Sequence, residues 1–547
     1  MKKRIWLALC AALMTAVFAL SGVACKGNTK PTPPPGGDLD EEVELTGELN
    51  IFFNEQGYGR LWMNALVDQF KLFHPKVEVN FIGELYNTNG INDIENGEGT
   101  FDLVFAGTSL ARYAVPDATG KTLLMDISDV ANKVQADDTR SAAQKLEVNG
   151  LNDMCTYNGK YYMLPWMTTL SGLHYNKTTL DNVFGEGKWK EPVTTDEFSE
   201  LLADLAAIES KKRAATRAYG ITVSPEISYW SYMATAWWAQ YDGMKAYKDF
   251  YYAEYNDDGV QKVAGDSETF RRAMNPTGRL KALEAVQQII GNKANINPVS
   301  EDIKFEDHQK QFATGRYQNT ANPSAFISCG DWYELETAAA VQQAGEPIRF
   351  MRTPVLSSIV ETLKDTAMTD ETLQAVIRAI DEGATEYDGV DPEDFARIKE
   401  ARQMVTCGAG NHMVGIPASA PNVRNAKEFL VLFASELGQE AFAQATGGLV
   451  PPYDYDIMAS EAVTKSEYVK SIYSAYYDKL SFLPVGSEEK APLVMFGGVE
   501  GFAMLNNIDN KFANEGVTAQ NYNQLIVNTL AAKYTTVSRY ISPTPRG

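Results

Sequence analysis

Between residues 47 and 106 the spacing of apolar side chains changes period repeatedly, and this pattern limits the fold more than any other feature of the chain. Gly47 to Phe53 (GELNIFF) suits a short apolar strand, broken by the polar, glycine-rich stretch Asn54, Glu55, Gln56, Gly57, Tyr58, Gly59. Trp62, Leu66, Phe70 and Phe73 then recur at helical spacing until Pro75 stops them. Val77, Val79 and Phe81 alternate as a second strand. Phe101 to Ala106 (FDLVFA) is apolar apart from Asp102 and ends at Gly107, Thr108 and Ser109. Strand, helix, strand, strand in this order predicts an α/β fold around a parallel sheet buried on both faces.

In open sheets of this kind ligands bind just beyond the strand C-termini. The residues there are Asn54, Glu55, Gln56 and Tyr58 after the first strand, and Gly107, Thr108 and Ser109 after FDLVFA. Both sets can hydrogen-bond a hydroxylated ligand, and both are residue types that make turns and caps. Further along, Thr194 to Glu197 reads as a capping box ahead of Phe198, Leu201, Leu202 and Leu205 on one helical face. Phe429, Leu432, Phe433 and Leu437 form another such face.

The N-terminus reads as a targeting segment. Lys2, Lys3 and Arg4 precede an uncharged, mostly apolar run from Ile5 to Leu20, followed by Ser21, Gly22, Val23, Ala24 and Cys25. The apolar run falls short of the ~20 residues of a spanning helix. Small residues ending in Cys resemble a bacterial lipobox, with Gly22 where Leu is usual. The resemblance implies cleavage before Cys25 and lipid attachment to its thiol. Residues 26–45 are rich in Gly, Pro, Lys and Thr, including Pro31 and Pro33-Pro34-Pro35, and read as an extended tether.

About 500 residues remain, enough for more than one domain, and 44% of the chain is apolar, so real cores can form. The formal charge of -22 excludes a nucleic-acid partner, which needs a basic footprint, and suits a neutral ligand. Beyond Cys10 and Cys25 there are three cysteines, Cys155, Cys329 and Cys407, with no C-x-x-C spacing. The reading is buried free thiols, with one disulfide left open. His74, His174, His308 and His412 are scattered, so no metal site is expected. No nucleophile, phosphate-loop or dinucleotide motif stands in a strand-to-helix context, and no cofactor is expected.

Five stretches in order resemble the family 1 extracellular solute-binding proteins of ABC importers. Leu49 to Phe81 looks like their opening strand, turn, helix and strand. Asn158-Gly159-Lys160-Tyr161-Tyr162-Met163-Leu164-Pro165-Trp166 resembles an "NGKxYxxP" hairpin, and Leu173-His174-Tyr175-Asn176-Lys177 an "xYNK" crossover strand. Phe312-Ala313-Thr314-Gly315-Arg316 with Gly330-Asp331-Trp332 resembles "FxxGxxA…GxW". Asn425 to Leu430 with Gly447-Gly448-Leu449-Val450-Pro451 resembles "AxEFLxF…GxxP".

The resemblance implies a two-lobed, type II periplasmic-binding-protein-like α/β fold closing on a ligand. Carried onto this chain, residues 1–24 are the lipoprotein signal peptide and 25–45 the lipidated Cys25 and tether. Residues 46–170 and 412–455 form lobe one, and 171–354 and 456–547 form lobe two. Residues 355–411 depart from the family's short crossover. Helical patterning over Glu361–Glu382 and Pro392–Val405 reads there as an inserted helical pair beside the hinge.

The implied function is capture of a sugar or oligosaccharide outside the membrane and delivery to ABC permease subunits, by a monomer held to the membrane through Cys25, without catalysis. Aromatic side chains pack on sugar C–H faces. Trp166 at the first crossover, Tyr229 and Trp230 in SYWSYMATAWWAQYDG, and Asp331-Trp332 are therefore candidate ligand contacts beside Asn54, Glu55, Tyr58, Thr108 and Ser109. Trp is also a core residue, and Trp237 and Trp238 point to different sides of one helix, so at least one is expected in the core. Two other readings stay open. One is a polyamine-type ligand held by Glu55, Glu226 and Asp331. The other is a surface glycoside hydrolase, which needs a carboxylate pair ~5–9.5 Å apart.

Overall fold

The computed structural model describes residue 39 and residues 43–134, 138–224, 226–318, 320–475, 481–484, 491–499, 505 and 507–546. The expected signal peptide, Cys25 and all of the tether except Leu39 and residues 43–45 lie outside the described residues.

Eleven strands build the two main sheets: β1 Gly47–Asn54, β2 Val77–Glu84, β3 Leu103–Phe105, β4 Met163–Pro165, β5 Leu170–Asn176, β6 Tyr219–Ile221, β7 Ser324–Gly330, β8 Ile348–Met351, β9 Met404–Cys407, β10 Met413–Gly415 and β11 Ser481–Pro484. The first sheet runs β2-β1-β3-β10-β4. β1 pairs in parallel with β2 and β3, while β10 is antiparallel to β3 and β4. The helix Leu61–Phe73 packs Trp62, Leu66 and Phe70 into the core of this lobe, and Phe429 and Phe433 of helix Val423–Ala434 enter the same core. These are the helical faces read from the sequence.

The second sheet is centred on β5, whose seven residues are all buried. β7 pairs antiparallel along one edge of β5, and β6 lies parallel outside it. The other edge is shared end to end: Met351 of β8 stands opposite Leu173, and Thr406 of β9 opposite Ser171. A strand continuing from Met351 would put Thr353 opposite Ser171. Thr406 stands there instead, so the chain leaves the sheet and re-enters it in the same register 53 positions later (353 to 406).

That excursion carries helices Asp370–Asp381 and Pro392–Gln403. The patterning expected through Val405 gives way at Met404, where the β-prone Met404-Val405-Thr406-Cys407 pairs in parallel with β11, and its last two residues with β5, instead. The helices enclose a small core of their own with Val193, Leu373, Ile377 and Ile398. They are fixed to the second lobe rather than wedged between the lobes. Thr194 Oγ1 donates to Asp370 Oδ2 at 2.9 Å, Arg378 pairs with Glu197, and Gln240 Oε1 accepts from the Leu356 amide at 2.9 Å. Asp381 anchors Arg402 through two bonds of 2.9 and 2.7 Å and Arg352 through one of 2.9 Å.

Helix Trp230–Asp242 is apolar around its whole circumference because it is enclosed on every side. Trp237 and Trp238 are both buried, and the same core holds residues of helix Thr277–Ile290 and helix Ala519–Ala531. After the first lobe's last helices, the chain returns to the second through helix Glu467–Ala475, where Ser471 Oγ accepts from the Phe350 amide at 2.8 Å.

Candidate functional site

Three chain segments cross between the sheets, and they are bonded to one another. The Trp166 amide donates to the His412 carbonyl at 2.8 Å, the Gly408 amide to the Thr169 carbonyl at 3.0 Å, and Thr168 Oγ1 to the Val450 carbonyl at 2.7 Å. Thr169 has φ +57°, a left-handed conformation that a β-branched residue rarely adopts. Its Oγ1 lies 3.1 Å from His412 Nδ1. Backbone strain of this kind persists where the surroundings hold it in place.

On the first lobe, β1 ends at Asn54, whose Oδ1 accepts from the Gln56 amide at 3.1 Å and closes the turn. Gly57 has φ +80°, a left-handed conformation that glycine adopts without strain, and lies against the Trp332 ring. Tyr58 then points into the junction of the lobes. Its ring meets Trp166, His412 and Trp332 edge-on at 5.7, 5.8 and 6.2 Å, and its hydroxyl donates to Asp331 Oδ1 of the second lobe at 3.2 Å.

On the second lobe β7 ends at Gly330, and Asp331-Trp332 lead into helix Tyr333–Gln343. A Cβ on Gly330 would lie 1.8 Å from the indole, so the glycine is what allows Trp332 to fold back over the strand end. Tyr229 meets Trp332 at 5.8 Å and Phe305 at 5.4 Å, and Ser328 Oγ donates to the Tyr229 carbonyl at 2.8 Å. Asp331 is fully buried. Its Oδ2 accepts from the Leu170 amide at 3.2 Å, and burial pushes its carboxyl up to about 7. Burial also lowers His412 to about 4, which leaves a neutral imidazole at pH 7.

These pieces enclose a cavity of about 640 Å³ between the lobes, beyond the C-terminal ends of β1, β3 and β7. Aromatic rings from both lobes (Tyr58, Tyr86, Tyr229, Tyr232, Phe305, Trp332) face it, with Asn54, Gln56, Gln309, Glu336, Asn411 and His412 between them. Rings for apolar sugar faces, alternating with amide and carboxylate groups, are what a polyhydroxylated ligand needs. Among the described residues no group of three His, Cys, Asp or Glu side chains is placed to hold a metal ion. Cys155, Cys329 and Cys407 are buried and are not joined by a disulfide.

Of the residues singled out from sequence, Asn54, Tyr58, Tyr229 and Trp332 line the cavity. Asp331 and Trp166 stand directly behind Tyr58, and Trp166 is stacked on Trp62 at 5.0 Å with its indole N–H on the Ala106 carbonyl at 2.8 Å. Glu55, Thr108, Ser109 and Trp230 are not among the lining residues. Glu55 pairs with Arg60 at 2.9 Å, Ser109 Oγ accepts from the Ala111 amide at 3.2 Å, and Trp230 lies in the core of the second lobe. Glu226 is exposed and accepts from the Phe305 amide at 2.8 Å, so Glu55, Glu226 and Asp331 do not converge. Tyr86, Tyr232, Phe305, Gln309, Glu336, Asn411 and His412 were not singled out. Tyr232 lies one helical turn from Tyr229, a spacing that marks it in retrospect.

The family profile described as bacterial extracellular solute-binding protein matches residues 55–322. Over these residues the chain matches this family. Its solved structural neighbours carry the same two-lobed α/β architecture. The chain is similar to the GacH receptor of Streptomyces glaucescens, solved unliganded and with acarbose, at 17% identity, covering 90% of this chain and 99% of that one with a TM-score of 0.53. It is similar to apo RafE from Streptococcus pneumoniae at 15% identity, 92% and 100% coverage and a TM-score of 0.53. It is also similar to the ABC substrate-binding protein Lmo0181 from Listeria monocytogenes, solved with cycloalternan, at 12% identity, 90% and 100% coverage and a TM-score of 0.55. At these identities the likeness is one of fold. No curated protein matches the sequence. No helix among the described residues is long and apolar enough to cross a membrane.

Proposed function

We propose that the cleft captures a sugar or oligosaccharide on the outer face of the membrane and that the chain delivers it to the permease subunits of an ABC importer, without catalytic turnover. The observation that carries this reading is the alternation of aromatic rings with hydrogen-bonding side chains around the cavity, Trp332, Tyr58, Tyr229 and Phe305 beside Asn54, Gln309 and Glu336. Acarbose with GacH, raffinose with RafE and cycloalternan with Lmo0181 support it from the side of the fold. Residues 46–170 with 412–455, and 171–354 with 456–547, act as the two bodies that close on the ligand, and Cys25 holds the monomer to the membrane.

Native mass spectrometry of freshly purified protein, followed by calorimetry over a panel of neutral di- to tetrasaccharides, tests the reading. A retained or saturably bound saccharide that stays intact is the expected result. No binding across the panel refutes capture, and protein-dependent cleavage refutes the absence of turnover. For the anchor, Cys25→Ala should move the protein from the membrane fraction to the medium or soluble fraction, and unchanged partitioning refutes it.

A further inference from the structure

The cavity is electrostatically one-sided. Its charged side chains all come from the second lobe: Glu306 and Lys310 on helix Phe305–Thr314, and Glu336 on helix Tyr333–Gln343. The first lobe and the crossovers contribute neutral groups, among them Asn54, Gln56, Asn411 and His412 with its neutral imidazole. Lys310 is exposed at the rim and stands 4.0 Å from Glu306. Glu336 is exposed to the cleft, and its Oε2 accepts from Gln309 Nε2 at 2.8 Å. No described cation lies within ion-pair distance of Glu336.

A helix N-terminus normally attracts anions through its unpaired N–H groups. Here that attraction is already offset. Helix Phe305–Thr314 carries Glu306 and Asp307 in its first turn, and helix Tyr333–Gln343 carries Glu334 and Glu336. A ligand carboxylate or phosphate entering the cavity would give up part of its hydration and stand beside Glu336, while the one lysine among the lining residues, Lys310, faces Glu306 instead, and such like-charge juxtaposition is unfavourable. A hydroxyl or a protonated amine at the same place donates to Glu336, and bonds to an ionised acceptor are the stronger kind.

We propose that Glu336 is a specificity-determining residue, which makes this cleft admit neutral and amino-substituted sugars and reject sugars carrying a carboxylate or phosphate. The inference rests on the sugar-capture reading and sharpens it to a ligand class. Like-charge juxtaposition at a binding surface typically costs several kcal/mol, so the acidic sugars should bind at least roughly a hundredfold more weakly than their neutral counterparts.

The test is calorimetry at pH 7 with the mature chain, on matched sets in which a neutral di- or trisaccharide is compared with its uronate, 6-phosphate and glucosamine forms, for the wild type and Glu336→Gln. Expected are a uronate at least a hundredfold weaker than the neutral sugar, and a gap narrowed at least tenfold in the variant. A uronate within tenfold of its neutral partner, or tighter, overturns the inference while leaving sugar capture standing. An unchanged gap in a variant that melts like the wild type overturns the role of Glu336. If the variant does not fold, raising ionic strength on the wild type must narrow the gap, and a gap insensitive to salt overturns the inference. Binding of no saccharide at all refutes sugar capture itself, and the ligand class falls with it.

Discussion

Replacing Asp331 by Asn should stabilise the protein, increasingly so as the pH rises. The carboxyl is buried without a cation partner, bonded to Tyr58 and to the Leu170 amide, and burial raises it from 3.8 to about 7. That separation corresponds to roughly 4 kcal/mol between its charged and neutral forms. The sign follows from where protons bind. Between pH 3.8 and about 7 the unfolded chain has released this proton while the folded chain keeps it, so folding stability is fullest below 3.8 and declines as the pH rises through about 7. Asn removes this dependence and keeps the geometry, because Oδ1 accepts from the Leu170 amide while Nδ2 donates to Tyr58 Oη. The variant and the wild type should therefore melt alike near pH 4. Above pH 7.5 the variant should be more stable by roughly 2–4 kcal/mol, which in a lobe of this size is on the order of 4–15 °C in melting temperature. Scanning calorimetry of both proteins from pH 4 to 8.5 reads the difference directly, since the remaining titrating groups are common to both. A difference that stays flat with pH, or a variant less stable at pH 8, refutes the argument.

Trp332 is 7% exposed and packed by Tyr58, Tyr229 and Gly57 while lining the cavity. Its replacement by Ala should cost both about 3–5 kcal/mol of stability and about thirtyfold or more in sugar affinity. Melting and titration together decide, and unchanged affinity in a folded variant contradicts the ring's role. Gly330→Ala puts a Cβ 1.8 Å from the indole and should push the ring off the strand end, lowering affinity while most of the packing survives; a variant with native affinity shows that the position of the ring does not matter. Asp381→Ala removes the carboxylate that both buried arginines, Arg352 and Arg402, bond, and should destabilise the second lobe by about 3–5 kcal/mol. Urea unfolding with an unshifted midpoint would show that the excursion is not anchored there.

The first lobe was readable because its signals are local. GELNIFF, the helix with Trp62, Leu66 and Phe70, and FDLVFA became β1, the helix Leu61–Phe73 and β3, and the polar turns beyond the two strands reach the cavity at Asn54, Tyr58 and Gly107. What could not be read depends on partners far away in the chain. Val405 follows a helical pattern but takes its state from a parallel ladder with β11, where it stands opposite Phe482, more than 70 residues later, so tertiary pairing overrides periodicity. Trp230 and Tyr229 are neighbours in sequence, yet the helix that begins at Trp230 turns one ring into the core and leaves the other at the cavity. Glu336, Gln309 and Asn411 carry no motif at all and come together only because three separate elements end at the same cleft.

The unbroken register across β8 and β9 shows how this chain tolerates change. More than fifty positions are spliced between two rungs of the central sheet, at the end of β5 that meets the crossovers, and the rungs on either side have not shifted. Where chain has been added without moving the frame, chain can be exchanged. Removing the excursion outright would uncover Val193 and the flank of helix Thr195–Glu209, but substituting another compact module with closely spaced ends would not. A fluorescent reporter grafted between Leu356 and Met404 would stand one crossover from the cavity, mounted on the second lobe.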